Sequence, residues 1–187
     1  MWYDNNIEDY GNLNRKLNKE YCNKYGYDFI FSNKRNLPNK LPHYERYPLL
    51  LNNIGKYDWI MWIDADAFFY KDSIPLENII NHIQFTHTTI LSKSIRQIFN
   101  NKTPDYEINN GVFLLKNTKE NYKFLEKMID CDDIAEKKHF VYDQAVFRYL
   151  YCENYQNFKT NSFILEYGIL QHFYDYELPY LKYKPLI

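Results

Sequence analysis

Two aspartates, Asp64 and Asp66, follow the apolar run Trp59-Ile60-Met61-Trp62-Ile63. Carboxylates two positions apart project to the same side of an extended backbone. Held close together, they resist joint ionisation unless a cation lies between them. A hard divalent ion, Mg²⁺ or Mn²⁺, suits such oxygen donors. The run before them is short and bulky, which predicts a strand buried on both faces. Ligands of open α/β sheets bind where such strands end. The same spacing recurs at Asp130-Cys131-Asp132. That pair falls at the polar end of a predicted helix, where a solvated acidic turn is expected.

The elements that must position the pair alternate along the chain. Tyr10, Leu13, Leu17 and Tyr21 follow helical spacing, and Gly26 is placed to end that helix. Tyr27–Phe31 reads as a strand, and Pro38 and Pro42 mark a loop. Tyr44, Tyr47, Leu51 and Ile54 suggest a second helix, with Pro48 in its first turn and Gly55 at its end. Beyond the carboxylates, Leu76–Ile83 suggests a helix and Thr88–Leu91 a strand. Asn109-Asn110 introduces the strand Gly111–Leu115. Tyr122, Leu125, Met128 and Ile129 form a helical face, Asp143–Cys152 a further helix and Ser162–Leu165 a last strand. Ser92–Asn109 is irregular and suits a cleft wall. Strands alternating with helices predict a single α/β domain over residues 1–187 with a mainly parallel sheet flanked by helices.

Bulk properties narrow the function classes. The net charge of −1, with both signs interspersed, offers no basic field to track nucleic acid. Aromatic residues make up 19%, including 20 Tyr and 13 Phe, enough for a substantial core and for platforms that stack on sugars or bases. Cys22, Cys131 and Cys152 match no zinc spacing, and reduced thiols are expected. No apolar run is long enough for a membrane span and no signal-peptide pattern opens the chain, so a cytoplasmic protein is the expectation.

Three segments in order carry a resemblance: Trp62-Ile63-Asp64-Ala65-Asp66-Ala67, then Asn110-Gly111-Val112-Phe113-Leu114-Leu115-Lys116-Asn117, then Asp143-Gln144-Ala145-Val146. Tyr25-Gly26-Tyr27-Asp28 and Tyr44-Glu45-Arg46 precede them. The set resembles the galactosyl/mannosyl transferases of glycosyltransferase family 34, and more broadly the GT-A (Rossmann-like) nucleotide-sugar transferases. The resemblance implies a metal-dependent, retaining transfer of a hexose or pentose from a UDP- or GDP-sugar to a hydroxyl of a glycan, glycoprotein or lipid. It implies that Asp66 binds Mn²⁺ or Mg²⁺ directly and that Asp64 assists through water or the ribose, with Ala65 between them at the donor. It places Arg46 against the diphosphate or donor sugar, Asn110 and Gly111 beside the donor, and Tyr3 near the nucleoside base. Asp143 and Gln144 would orient acceptor or donor hydroxyls. The family also implies an apolar strand ending near Met1 and a His-x-x-Gly motif after Ile187, so a fold shortened at both ends is expected. His172 is the remaining candidate for that ligand within the chain.

Several of these residues have plainer readings. Arg46 suits a surface helix, Asn110-Gly111 a turn, and Asp143 a helix N-terminus. Two other functions use similar patterns. Haloacid-dehalogenase phosphatases also place two Asp after an apolar strand, the first as nucleophile. A degenerate transferase domain would bind a nucleotide sugar without turning it over.

Overall fold

The computed structural model describes residues 1–69, 73–83, 85–93, 108–138 and 142–165. Its sheet contains β1 (Trp59–Ile63), β2 (Thr89–Lys93), β3 (Ile108–Lys116) and β4 (Ser162–Leu165), in the order β1-β3-β2-β4. The two-residue alternation of a strand divides the apolar side chains between the sheet faces. Trp62, Leu91, Phe113 and Leu115 enter one core cluster, while Ile63, Ile90, Val112 and Leu114 enter the other. The first cluster is covered by α2 (Arg46–Ile54), α4 (Lys119–Ile129) and α6 (Asp143–Cys152), through Leu50, Phe124 and Phe147 among others. The second is covered by α1 (Glu8–Tyr25) and α3 (Glu77–Ile83), through Tyr21, Ile79 and Ile83. A short α5 (Asp132–Lys138) follows α4. The α/β expectation therefore holds, with helices on both faces.

The strand directions differ from the expectation. β3 runs antiparallel to both β1 and β2, and β2–β4 is the parallel pair, so the described sheet is mixed rather than mainly parallel. Parallel neighbours need a crossover, usually helical, whereas antiparallel ones do not. The sequence between β2 and β3 shows no helical apolar period. Residues 94–107 of the expected cleft wall lie outside the described residues. β3 also begins earlier than expected, so Asn109-Asn110-Gly111 is strand rather than the turn leading into one. Leu91 pairs with Phe113 but Ser92 pairs with Asn109, so Asn110, Gly111 and Val112 bulge away from β2. Such bulges redirect side chains beside functional sites.

α1 corrects a second expectation. Its buried residues are Gly11, Asn14, Asn18 and Tyr21, and Leu13 is 58% exposed. The apolar periodicity located the helix but not its inner face. The buried asparagines hold the chain that follows the carboxylates. Asn14 Nδ2 donates to Ala65 C=O (2.8 Å), and Asn18 Nδ2 donates to Ala67 C=O (2.9 Å). Asn18 Oδ1 accepts from Phe69 N–H at 2.9 Å. One turn and two turns on, Tyr21 OH donates to Ile74 C=O and Tyr25 OH to Ser73 C=O, each at 2.7 Å. An irregular segment cannot satisfy its own backbone, and a helix face of amides and phenols does it instead. Tyr122 on α4 likewise turns outward, while Asn121 is buried.

Gly26 ends α1 in the left-handed conformation (φ 78°), as expected. Tyr27–Phe31 is not a ladder strand, and its neighbourhood is tied by one parallel bridge, Trp2 to Ser32. Asp130 and Asp132 are exposed, as a solvated turn requires, and all three cysteines are free thiols. Among the described residues, no helix is long and apolar enough to cross a membrane.

Candidate functional site

β1 ends at Ile63, and Asp64 opens a tight turn in which Ala67 N–H donates to Asp64 C=O at 3.1 Å. Asp64 and Asp66 are therefore not on an extended backbone. Their proximity comes from the turn, and it is close enough for the charge of Asp66 to disfavour ionisation of Asp64. Asp64 N–H donates to Gly111 C=O (2.8 Å), which fixes the turn to the β3 bulge.

Asp64 Oδ1 accepts from the Trp62 indole N–H at 2.7 Å and lies 3.3 Å from Arg46 Nη1. Its side chain keeps 30% exposure. Burial pushes the Asp64 carboxyl up to about 7, against the pull of the Arg46 guanidinium and with added push from Asp66. Close beside it is Gly111, where a Cβ atom would sit 2.9 Å from Asp64 Oδ2 and 2.8 Å from Asn109 Oδ1. Glycine at 111 is thus a requirement of this carboxylate position.

Arg46 joins the parts of the site. It enters at the start of α2, after a 3₁₀ turn at Pro42–Glu45, and is 6% exposed. Nε donates to His43 C=O (3.0 Å) and lies 3.3 Å from Asp143 Oδ2. Nη1 donates to Asn110 C=O (2.5 Å) and faces Asp64. The guanidinium also lies 5.3 Å from the centroid of the Trp62 ring. Burial opposes its charge, but Asp64 and Asp143 outweigh that and hold it firmly protonated. Arg46 is therefore not the surface helix charge of the plainer reading, and its Nε and Nη1 donors serve protein acceptors.

Asp143, the first residue of α6, is 3% exposed. Its Oδ2 accepts from Tyr47 OH (2.7 Å) and Asn110 Nδ2 (2.7 Å), besides the Arg46 contact. Asn110 Nδ2 also lies 3.2 Å from Tyr47 OH. The Tyr47 hydroxyl is held protonated well above its ordinary range by burial and the Asp143 carboxylate.

The structure thus brings Arg46, Asp64, Asn110, Gly111 and Asp143 together from four separate elements, with Asp66 adjoining. The amide nitrogen of Asn110 is used inside this network rather than turned to a sugar. Gln144, the next residue of α6, is half-buried. Ala65 is 5% exposed, and its carbonyl is taken by Asn14. Tyr3 is 4% exposed, its ring lies against Gly11 and Phe31, and its hydroxyl donates to Asn12 Oδ1 (2.6 Å). His172 lies outside the described residues. Tyr47 and Trp62 were legible only as core residues, since nothing in an apolar pattern marks a hydroxyl or indole as a hydrogen-bond partner.

Among the described residues, no group of three or more His, Cys, Asp and Glu is placed to hold a metal. The donor set is Asp64 and Asp66. One or two carboxylates, completed by water and substrate phosphate, is an ordinary Mg²⁺-type arrangement. Asp64, Asp66 and Asp143 all act on the charge of Arg46. The site is therefore rich in carboxylate, which suits a divalent cation.

The sequence matches the galactosyl transferase GMA12/MNN10 family over residues 6–182. A similar curated relative is galactomannan galactosyltransferase 1 of Cyamopsis tetragonoloba, 27% identical over 112 residues. That alignment covers 57% of this chain and 24% of the relative, so the chain spans about a quarter of that protein's length. Among solved structures, the chain resembles a glycosyltransferase involved in glycosylation of the major capsid of PBCV-1, with a TM-score of 0.68 and 16% identity over 88% of this chain and 79% of that one. It also resembles the glycosyltransferase GlyE of Streptococcus pneumoniae TIGR4, with a TM-score of 0.55 and 18% identity over 88% of this chain and 44% of that one. At these identities the structural likeness establishes the fold.

Proposed function

This chain belongs to the galactosyl transferase GMA12/MNN10 family, and on that premise we propose that it carries the donor site of a metal-dependent glycosyltransferase. The donor is a nucleotide sugar, with a galactosyl group the first choice by analogy with galactomannan galactosyltransferase 1. The acceptor is a hydroxyl of a glycan, glycoprotein or lipid. The observation that carries the proposal is the pair Asp64 and Asp66 at the end of β1, sharing one buried arginine with Asp143.

Asp64 and Asp66 would hold Mg²⁺ or Mn²⁺. The cation would neutralise charge on the departing diphosphate, as Lewis acids do in leaving-group loss. The chain's own residues supply the positioning. Trp62 and Arg46 fix Asp64 Oδ1, and Gly111 leaves Oδ2 room. Asp143 accepts three contacts at Oδ2, which blunts that oxygen as a nucleophile. This supports retention by front-side attack of the acceptor over a covalent intermediate on Asp143.

Asp66→Asn tests the proposal, with Mn²⁺-dependent hydrolysis of UDP-galactose as the assay. We expect turnover to fall by about a hundredfold or more, the scale of losing one electrostatic element of an active site. Undiminished turnover would remove Asp66 from the site. A second reading, donor binding without turnover, draws on the internal commitment of the Arg46 and Asn110 donors. Mn²⁺-dependent donor binding with no hydrolysis or transfer would select it.

A further inference from the structure

The network around Arg46 has two ends. Nη1 faces Asp64, while Nε lies beside Asp143 Oδ2 and donates to His43 C=O at 3.0 Å. At this second end two aromatic rings meet. His43 belongs to the 3₁₀ turn that leads into α2, and Tyr142 is the residue before α6. Their ring centroids lie 5.6 Å apart, at an interplanar angle of 67°. Both residues are exposed, Tyr142 by 58%. A single exposed ring on a protein surface needs no explanation. This one is fixed to the site from two sides. Tyr142 adjoins Asp143 in the chain and its C=O accepts from Ala145 N–H (3.1 Å), while its neighbour His43 is tied to Arg46.

An edge-to-face contact covers at most one face of a ring, so the Tyr142 phenol keeps a face open to solvent. Hydrogen-bonding groups stand next to it. Tyr142 supplies no side-chain cap to α6, and the N–H groups of Asp143 and Gln144 have no acceptor among the described residues. The half-buried Gln144 side-chain amide likewise has no partner among them. The rim therefore offers an apolar ring face beside uncharged polar groups. A pyranose matches both, because its C–H groups form an apolar face and its hydroxyls surround the edge. An acyl chain would match the ring and leave the polar groups unsatisfied.

We propose that Tyr142, backed by His43, is the platform on which a sugar ring of the acceptor stacks, with Gln144 and the first N–H groups of α6 donating to its hydroxyls. The acceptor is therefore a glycan chain rather than a lipid or a bare protein hydroxyl. This inference rests on the proposed transfer reaction, which puts the donor diphosphate at Asp64 and Asp66. Donor and acceptor then approach from opposite ends of the Arg46 guanidinium.

In the test, the full chain with Mg²⁺ and UDP is titrated with mannotriose, cellotriose or maltotriose. The readout is the Tyr142 ring resonance in NMR spectra, identified by its absence in Tyr142→Phe. We expect at least one sugar to shift it, where Mg²⁺ and UDP alone do not. No shift from any of these sugars overturns the proposal. So does an equal shift from UDP without sugar, which would give the ring to the nucleobase. Turnover supplies a second readout, with UDP-galactose, Mn²⁺ and the sugar that binds. In Tyr142→Ala the ratio of transfer to hydrolysis should fall about tenfold, because a stacked acceptor needs the ring and water does not. Tyr142→Phe and Tyr142→Trp should stay within about twofold of the parent ratio, since stacking does not use the hydroxyl. An unchanged ratio in Tyr142→Ala, or an equal fall in every variant, overturns the platform. The two readings fail separately. A sugar-dependent shift with neither hydrolysis nor transfer keeps the sugar seat and refutes the transferase reading. Hydrolysis that depends on Asp66, with no shift at Tyr142, refutes the seat alone.

Discussion

A methyl group at position 111 would meet Asp64 Oδ2 at 2.9 Å and Asn109 Oδ1 at 2.8 Å, so Gly111→Ala must displace one of them. Asn109 Oδ1 is held by Gly111 N–H at 2.6 Å, whereas the Asp64 side chain keeps 30% exposure. Asp64 is expected to move. Titration with Mn²⁺ and UDP should show at least about tenfold weaker binding, with a stability loss of only about 1–3 kcal/mol, typical of overpacking. Unaltered affinity would detach Asp64 from the metal. The raised Asp64 carboxyl gives a second expectation. Its folded pKa of about 7 lies above the ordinary carboxylate value, so the folded state binds more protons between those limits. The contribution of Asp64 to stability therefore falls as pH rises from about 4 to 7, and a bound cation must displace that proton. Thermal stabilisation by Mn²⁺ should be clearly larger at pH 8 than at pH 5.5, and equal shifts would show that Asp64 is not a ligand. Spacing and the apolar run before them marked Asp64 and Asp66, and the family resemblance marked Arg46, Asn110 and Asp143. Neither showed that Arg46 and Asn110 spend their donors on one another's surroundings, because that depends on which elements meet.

At the scale of elements, the buried asparagines explain why helices were legible and their inner faces were not. Asn14 and Asn18 on α1 bond Ala65, Ala67 and Phe69, and Asn121 on α4 donates to Thr88 C=O (2.8 Å) and Lys116 C=O (2.9 Å). A hydrophobic pattern assigns such residues to solvent, yet the irregular chain beyond Asp64 needs donors and acceptors inside the fold. Asn18→Leu should cost about 2–4 kcal/mol in chemical denaturation, since it removes the buried bonds to Ala67 C=O and Phe69 N–H. Leu13→Lys, on the face that periodicity alone would have buried, should cost under about 0.5 kcal/mol. The reverse order would restore Leu13 to the core. The bulge in β3 was equally hidden. Asn110 and Gly111 suggested a turn, yet they lie within β3 at the bulge, Gly111 against Asp64 and the Asn110 side chain against Asp143.

Over the whole molecule, alternating elements disclosed a sheet with helices on both faces but not the direction of its strands. Apolar runs look alike whether their neighbours are parallel or antiparallel, and β3 reverses against both of its partners. The two core clusters nonetheless converge on the result that the site requires. They hold β1, the β3 bulge, α2 and α6 so that their ends meet around Arg46. The central claim is that this meeting point binds a divalent cation and, through it, a nucleoside diphosphate. The most direct measurement is calorimetric titration of UDP into the protein with Mn²⁺ and again with excess chelator. Binding with the metal that disappears on chelation, and disappears in Asp66→Asn, is the predicted result. Equal UDP affinity in the chelated and Mn²⁺-loaded protein would contradict the account.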